Sequence, residues 1–237
     1  MDQNRLTKIL DEMQRAIGPV PGRDSHAGGV LCATCVDVLH VTGAGITLMS
    51  SADAARCSLG ASDAVSGTVE ELQFLLGEGP GIDAYGGRRP VLESDLAHPD
   101  LDRWPRFAPP AVRAGARAVF SFPLQIGVIR LGALNLYCDG PGSLEPEGFA
   151  DSIVMAGVVT RSVLALQVGA PGGDLGTAID DNENLRVQVH QAAGMISVQL
   201  DLPIADALVR LRAYTYAEDR RISDVAREVV DGGLLIR

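Results

Sequence analysis

The residues best suited to grip another molecule lie late in the chain. Arg220, Arg221 and Arg227 share the outward side of a helix expected from about Arg221 to Asp231. Ile222, Val225/Ala226 and Val229/Val230 recur at helical spacing and turn inward, leaving Asp224 and Glu228 outward beside the arginines. A guanidinium presents a planar fork of donors to phosphate and stacks on an unpaired base. Tyr214 and Tyr216 lie just upstream, and RNA-loop recognition commonly uses aromatic stacking. Gln191 and Arg212 are further candidates on the preceding helices. The same arginines have a plainer use, as a solvated face paired with Glu218, Asp219, Asp224 and Glu228.

Other chemistry is poorly represented. Cys32-Ala33-Thr34-Cys35 has the spacing of a metal or redox pair, but it sits inside an apolar helical pattern. A zinc site needs about four ligands, and no second pair or suitably spaced histidine accompanies it. The two thiols read as small buried apolar groups. His26, His40, His98 and His190 are scattered. There is no G-x-S-x-G elbow. Lys8 is the only lysine, which excludes a Gly-Lys phosphate loop and the lysine of a phosphorylatable receiver. Gly77-Glu78-Gly79-Pro80-Gly81-Ile82 fails G-x-G-x-x-G because Ile82 takes the last glycine's place. An enzyme is not expected.

These residues need elements to hold them. The chain has 237 residues, 46% of them apolar and only 4% aromatic, so its cores must be built from Val, Leu, Ile and Ala. The net charge of −10 is uneven: 13 basic against 23 acidic residues up to position 184, then seven against seven from Leu185. The acidic body would repel a polyanion, so nucleic acid, if bound, belongs to the tail. Four cysteines without an export signal favour a reducing cytoplasm. No apolar run is expected to cross a bilayer: 152–168 carries Arg161, and 118–136 contains Gln125 and Arg130.

Residues 1–22 read as an N-terminal helix (Leu6, Ile9, Leu10, Met13 and Ile17 on one face), either a dimerisation element or a lid, or packed on its own domain. A helix over 27–40 turns Leu31, Val38 and Leu39 inward, and strands follow at 44–49 and 56–60. A helix over 65–76 carries Val65, Val69, Leu72 and Leu75/Leu76 inward. From Gly77 to about Pro110 the chain is rich in Gly, Pro and Asp and reads as irregular, with one short strand at 90–92. Strands at 116–125 and 132–137 and a helix at 145–168 complete the first domain, 23–168. A linker at 169–180 leads to helices at 181–200, 203–217 and 221–231, a second domain over 181–237. Leu185, Val189, Ala192, Ile196 and Gln199/Leu200 alternate at four- and three-residue spacing, which predicts a parallel coiled-coil dimer, or a stripe packed within one chain. The fold class is α+β with two domains: an antiparallel sheet with flanking helices, then a three-helix bundle with a coiled-coil lead-in.

Two resemblances sharpen this. Glu71-Leu72-Gln73-Phe74, Gly77-Glu78-Gly79-Pro80-Gly81, Asp95-Leu96, Trp104-Pro105-Arg106-Phe107-Ala108, Phe122-Pro123-Leu124 and Leu131 to Tyr137 make residues 27–168 resemble a GAF domain, of the kind that precedes output domains in actinobacterial regulators. Val189 to Ile196, Leu200 to Leu208, Leu211-Arg212-Ala213-Tyr214 and Arg220 to Ala226 make the tail resemble an ANTAR domain, an RNA-binding module of antitermination regulators. The first resemblance implies a small-molecule or partner sensor, its ligand between the sheet and Gly77–Phe107. Glu78, Asp83, Asp95, Trp104 and Arg106 are the candidates there, although Trp104 reads better as packing. The ligand itself is unknown. Glu78, Asp83, Asp95, Asp100 and Asp102 weigh against an anion and Arg88, Arg89, Arg103 and Arg106 offset them. Gly81 stands where a chromophore-attaching cysteine is often found.

The second resemblance implies a homodimer that binds tandem RNA stem-loops and prevents termination. The RNA-binding candidates are Gln191, Arg212, Tyr214, Tyr216, Arg220, Arg221 and Arg227. Ala193 departs from the pattern, since a basic residue often follows the Gln-Ala pair, and a phosphate contact is lost with it. A dimeric sensor whose tail only dimerises is the alternative.

Overall fold

The computed structural model describes residues 27–49, 56–98, 102–168, 180–218, 220 and 222–236. The helix expected over 1–22 lies outside them, as does all but the last residue of the expected linker. The chain divides into two compact units, Met1–Ala178 and Ile179–Arg237.

In the first unit the described elements are α1 (Ala27–Leu39), β1 (Gly43–Met49), β2 (Arg56–Ala61), α2 (Ala64–Leu76), α3 (Pro80–Gly87), β3 (Val91–Glu93), α4 (Ala108–Ala114), β4 (Ala118–Ile126), β5 (Ile129–Cys138) and α5 (Pro146–Val168). The strands form one antiparallel sheet in the order β2-β1-β5-β4-β3. The expectation of an antiparallel sheet with apolar central strands holds: β5 lies between β1 and β4, and both of its neighbours are among the most buried segments.

Alternation divides the sheet into two faces. Ile46, Leu134, Leu136, Phe120, Phe122 and Leu124 lie on one, fully or almost fully buried. Phe122 meets Phe149 of α5 there, ring centroids 5.9 Å apart. α1 approaches β2 on that side through two glycines: a Cβ on Gly28 would lie 1.8 Å from the Leu59 carbonyl oxygen, and one on Gly60 2.3 Å from the Gly28 carbonyl carbon. α1 buries Leu31, Cys32, Cys35 and Leu39, whereas Val38, expected inward, is half-buried. Burial raises the Cys32 thiol well above its ordinary range and Cys35 to about 12, so both stay protonated, and no cluster of potential metal ligands occurs among the described residues.

α5 corrects one expectation. Pro146–Leu166 is long and apolar enough to cross a membrane by length and composition. Of that stretch 39% is buried, Met155, Val159 and Val163 fully, and the helix packs on β4 and β5.

The other face carries Gly45 and Thr47 of β1, Asn135 and Tyr137 of β5, Val119 and Ser121 of β4, and Val91 of β3, the register placing Gly45 and Ser121 opposite Asn135. α2 and α3 cover it, and α4 packs against α2. α2 opens with a reciprocal cap, Asp63 accepting from the Ser66 N–H at 2.8 Å and Ser66 Oγ accepting from the Asp63 N–H at 3.1 Å. It stops at Gly77, whose φ of 67° suits glycine.

The segment from Gly77 to Pro110 is more regular than its composition predicts. Pro80–Gly87 is a helix. Pro80 occupies its first turn, where the missing N–H has no intrahelical partner, and Gly79 supplies the φ of 138° that leads in. The glycines and proline bracket a helix instead of abolishing one. A second short helix, Ala108–Ala114, also begins with prolines in its first turn.

The second unit contains α6 (Asp180–Leu200), α7 (Ile204–Ala217) and α8 (Ile222–Val230). α6 packs on both α7 and α8. Its stripe residues Val189, Ala192 and Ile196 are fully buried inside this bundle, with Leu211, Ile222, Val225 and Ala226. Of the two uses expected for the stripe, an intermolecular seam or packing within one chain, these three residues take the second. Pro203 caps α7 from outside the helix, and Ile204, expected inward, is 55% exposed. Ile236 folds back and is buried, after a turn in which the Gly233 and Leu234 N–H groups donate to the Glu228 carbonyl.

Candidate functional site

The inward side of α2 is polar where the sequence pattern expects leucines. Ser66, Val69, Glu70 and Gln73 are the buried residues, and Val65, Leu72 and Leu76 are only partly buried. Glu70 is 3% exposed. Its carboxyl accepts from the Thr47 hydroxyl and, at 2.7 Å, from Asn135 Nδ2. Ser121 Oγ donates to Asn135 Oδ1 at 2.5 Å. A polar chain thus crosses three neighbouring strands at the sheet centre. One turn along α2, Gln73 Oε1 accepts from the Gly81 N–H at 2.7 Å, joining α2 to the first turn of α3.

Three glycines make room for these groups. A Cβ on Gly45 would meet Glu70 Cγ at 2.7 Å, one on Gly79 would meet Gln73 Cγ at 2.7 Å, and one on Gly81 would meet Asn135 Oδ1 at 2.5 Å. Burial raises the Glu70 carboxyl to about 7, with the Thr47 and Asn135 hydrogen bonds opposing that rise in part. Sequence reasoning missed this cluster. The available signal was two polar residues, Ser121 and Asn135, flanked by apolar neighbours inside their strands.

Each of the five ligand candidates is engaged within the first unit. Glu78 accepts from the backbone N–H groups of Arg106 and Phe107 at 2.7 and 2.9 Å, and its second oxygen lies 3.5 Å from the Arg106 guanidinium. Asp83 accepts from Trp104 Nε1 at 3.1 Å and from Arg103 at 2.9 Å. Trp104 is 6% exposed, has a φ of 55°, and meets Phe107 edge-on at 6.4 Å. Asp95 stands apart, paired with Arg117 at 2.9 Å, which lowers its carboxyl below the usual range. The structure therefore brings Glu78 together with Arg106 and Asp83 with Trp104, in contacts that fasten the covering segment. Trp104 packs, as its sequence context suggests.

In the second unit Gln191 and Arg227 are exposed, Tyr216 is 56% exposed, and Arg212 and Tyr214 are half-buried. Arg220 makes a two-pronged contact with Glu228, at 2.5 and 3.1 Å, which raises the guanidinium and lowers the carboxyl relative to their ordinary values. That is one of the pairings the plainer reading of the arginines anticipates. Arg221 lies outside the described residues.

No protein-family model matches the chain, and no curated protein matches it. Solved structures do. The GAF domain of a phosphoenolpyruvate-protein phosphotransferase from Coxiella burnetii is similar with a TM-score of 0.52 and 12% identity, over 71% of this chain and 98% of that one. The GAF domain of the corresponding Acinetobacter protein is similar with a TM-score of 0.52 and 11% identity, over 73% and 99%. The sheet-bearing unit has the GAF fold. At such identity the likeness fixes the architecture alone, because one fold hosts many functions. The GAF unit holds its polar cluster between sheet and α2, and the tail is a separate bundle of three helices.

Proposed function

We propose that the chain is a signal-responsive regulator that acts in the cytoplasm, with a GAF sensor followed by an RNA-binding output that promotes antitermination. The carrying observation is the pairing of a GAF-fold unit with a separate helical unit that presents Gln191, Tyr216 and Arg227 to solvent. The sensing part rests on the buried polar face under α2 and α3, suited to a small molecule or to a partner that repositions its cover. The output part rests on the ANTAR-like sequence of the tail and on its balanced charge, which contrasts with the acidic GAF unit. No catalytic step is assigned to either unit.

With Val189, Ala192 and Ile196 used inside the bundle, a homodimer through α6 would have to use its outer side, where Met195 and Val198 are 40% and 86% exposed. The signal would act by changing how two such helices pair, a two-state element biased by the ligand.

The test is binding of the purified full chain to a labelled RNA with two short hairpins, against a single-hairpin control, titrated across salt. Binding that needs both hairpins supports a dimeric antiterminator. Equal binding to one hairpin removes the dimeric mode, and no binding to any hairpin with an intact dimer favours a sensor whose tail only dimerises. The sensing part is tested separately, by compounds that raise the Tm of the full chain.

A further inference from the structure

The carboxyl of Glu70 is the one fully enclosed acid among the described carboxylic side chains; both its oxygens accept from neutral groups, and burial outweighs those hydrogen bonds in raising it. On β1 it faces Thr47 and the bare backbone of Gly45; on β5 it faces Asn135, which leads to Ser121 on β4. α2 also carries Glu71, which is half-buried, and its N-cap Asp63 accepts from the Tyr137 hydroxyl of β5 at 3.1 Å. Cys32 of α1 is within electrostatic reach and its thiol is protonated. α3 contributes the Gly81 N–H, taken by Gln73. Every one of these groups is neutral or acidic. Of the arginines around the cover, Arg103 pairs with Asp83, Arg106 with Glu78 and Arg117 with Asp95, and Arg88, Arg89 and Arg113 are exposed. A buried charge with neutral donors and no cation is unfavourable, so ionisation works against the closed arrangement.

We propose that the cover of the GAF sheet is proton-linked: neutral Glu70 holds α2 against the strands, and ionised Glu70 loosens it. The link extends beyond α2. Gln73 ties α2 to the start of α3 through Gly81, and a Cβ at Gly79 or Gly81 would collide with the same side chains, so displacement of α2 carries α3 with it. Val69, the neighbour of Glu70, packs in one cluster with Trp104 and Phe107. The rise of the carboxyl to about 7, caused mainly by burial, places the change near neutral pH. This deepens the sensing reading, since α2 and α3 cover the face assigned to the signal.

Trp104 is the only tryptophan and reports on the cover directly. The experiment follows its emission in the full chain from pH 5 to 9, for the natural sequence and for Glu70→Gln, which keeps an acceptor and two donors but cannot ionise. The expected result is a sigmoidal change near neutral pH that the variant lacks, with α2 amides exchanging at least about tenfold faster at high pH than in the variant after correction for intrinsic rates. A flat curve in the natural sequence, or the same step in Glu70→Gln, overturns the proposal. If the variant does not fold, a carbon-detected NMR titration of the Glu70 carboxyl in the natural sequence decides. Titration near 4.5, the ordinary value for glutamate, refutes the linkage, and titration near neutral supports it. No compound is added, so a negative result removes the switch and leaves the sensing reading to its own compound screen.

Discussion

Asn135 Nδ2 lies 2.7 Å from the Glu70 carboxyl, joining a central strand to the helix that covers it across 65 residues of sequence. Both side chains are 3% exposed, and the proton-linked cover proposed above turns on the acid-base state of this one carboxyl.

Stability should therefore fall as pH rises through the neutral range. In the unfolded chain Glu70 ionises near 4.5, whereas in the folded chain it holds its proton to about 7. Between those values the native state binds more protons, so its contribution is complete below about 4.5 and is lost as pH rises toward 7. Glu70→Gln should gain on the order of 3 kcal/mol over the natural chain at pH 8 and little at pH 4.5. Urea unfolding at the two pH values measures this, and an equal difference at both would refute it.

Glu78→Ala removes the acceptor for two backbone N–H groups, of Arg106 and Phe107. The expected cost is about 1–3 kcal/mol, seen as a lower Tm and a red-shifted Trp104 emission. Glu78→Gln, which retains an acceptor, should recover part of it.

Gly28→Ala should prevent the native GAF unit from forming. The added Cβ meets the Leu59 carbonyl at 1.8 Å, a backbone atom of the paired strand β2 that cannot move aside alone. Far-UV circular dichroism and soluble yield are the readouts, and a stable well-folded variant would contradict the close approach of α1 to the sheet.

In the tail, Ile196→Ala should cost about 2–5 kcal/mol because Ile196 is fully enclosed in the bundle. Val198→Asp should leave the bundle folded, since Val198 is 86% exposed. Sedimentation then asks whether the outer side of α6 pairs two chains: dissociation on Val198→Asp supports that seam, and an unchanged dimer excludes it.

For RNA, Arg227→Glu should weaken hairpin binding by about tenfold or more and reduce the salt slope by roughly 1. Arg227 is exposed. Arg220→Ala should weaken binding less, because its guanidinium already engages Glu228. Equal effects of the two would argue against this ranking.

Much of this architecture is legible in the sequence, for identifiable reasons. The strands around Phe120 and Leu134 announce themselves by continuous apolar runs, and α6, α7 and α8 by helical spacing. α3 was obscured because Pro80 and its flanking glycines are breakers inside a helix and good neighbours at its ends, and composition does not distinguish the two. The stripe through Val189, Ala192 and Ile196 fits a partner chain or the chain's own α7 and α8 equally well, since both bury the same face. The Glu70 cluster was hidden for a further reason. Its members are 47, 70, 121 and 135 in the chain: strand register sets the three strand residues on one face, and the packing of α2 lays Glu70 over them.

The bare backbone at Gly45 has a consequence for the descent of this sequence. A Cβ there would press on Glu70 Cγ and Oε1 at 2.7 Å, so neither position can change freely while the other stays. Divergent relatives should show the two as a covarying pair: glycine at the first wherever the second keeps a long side chain, and alanine or larger only where the second has shortened.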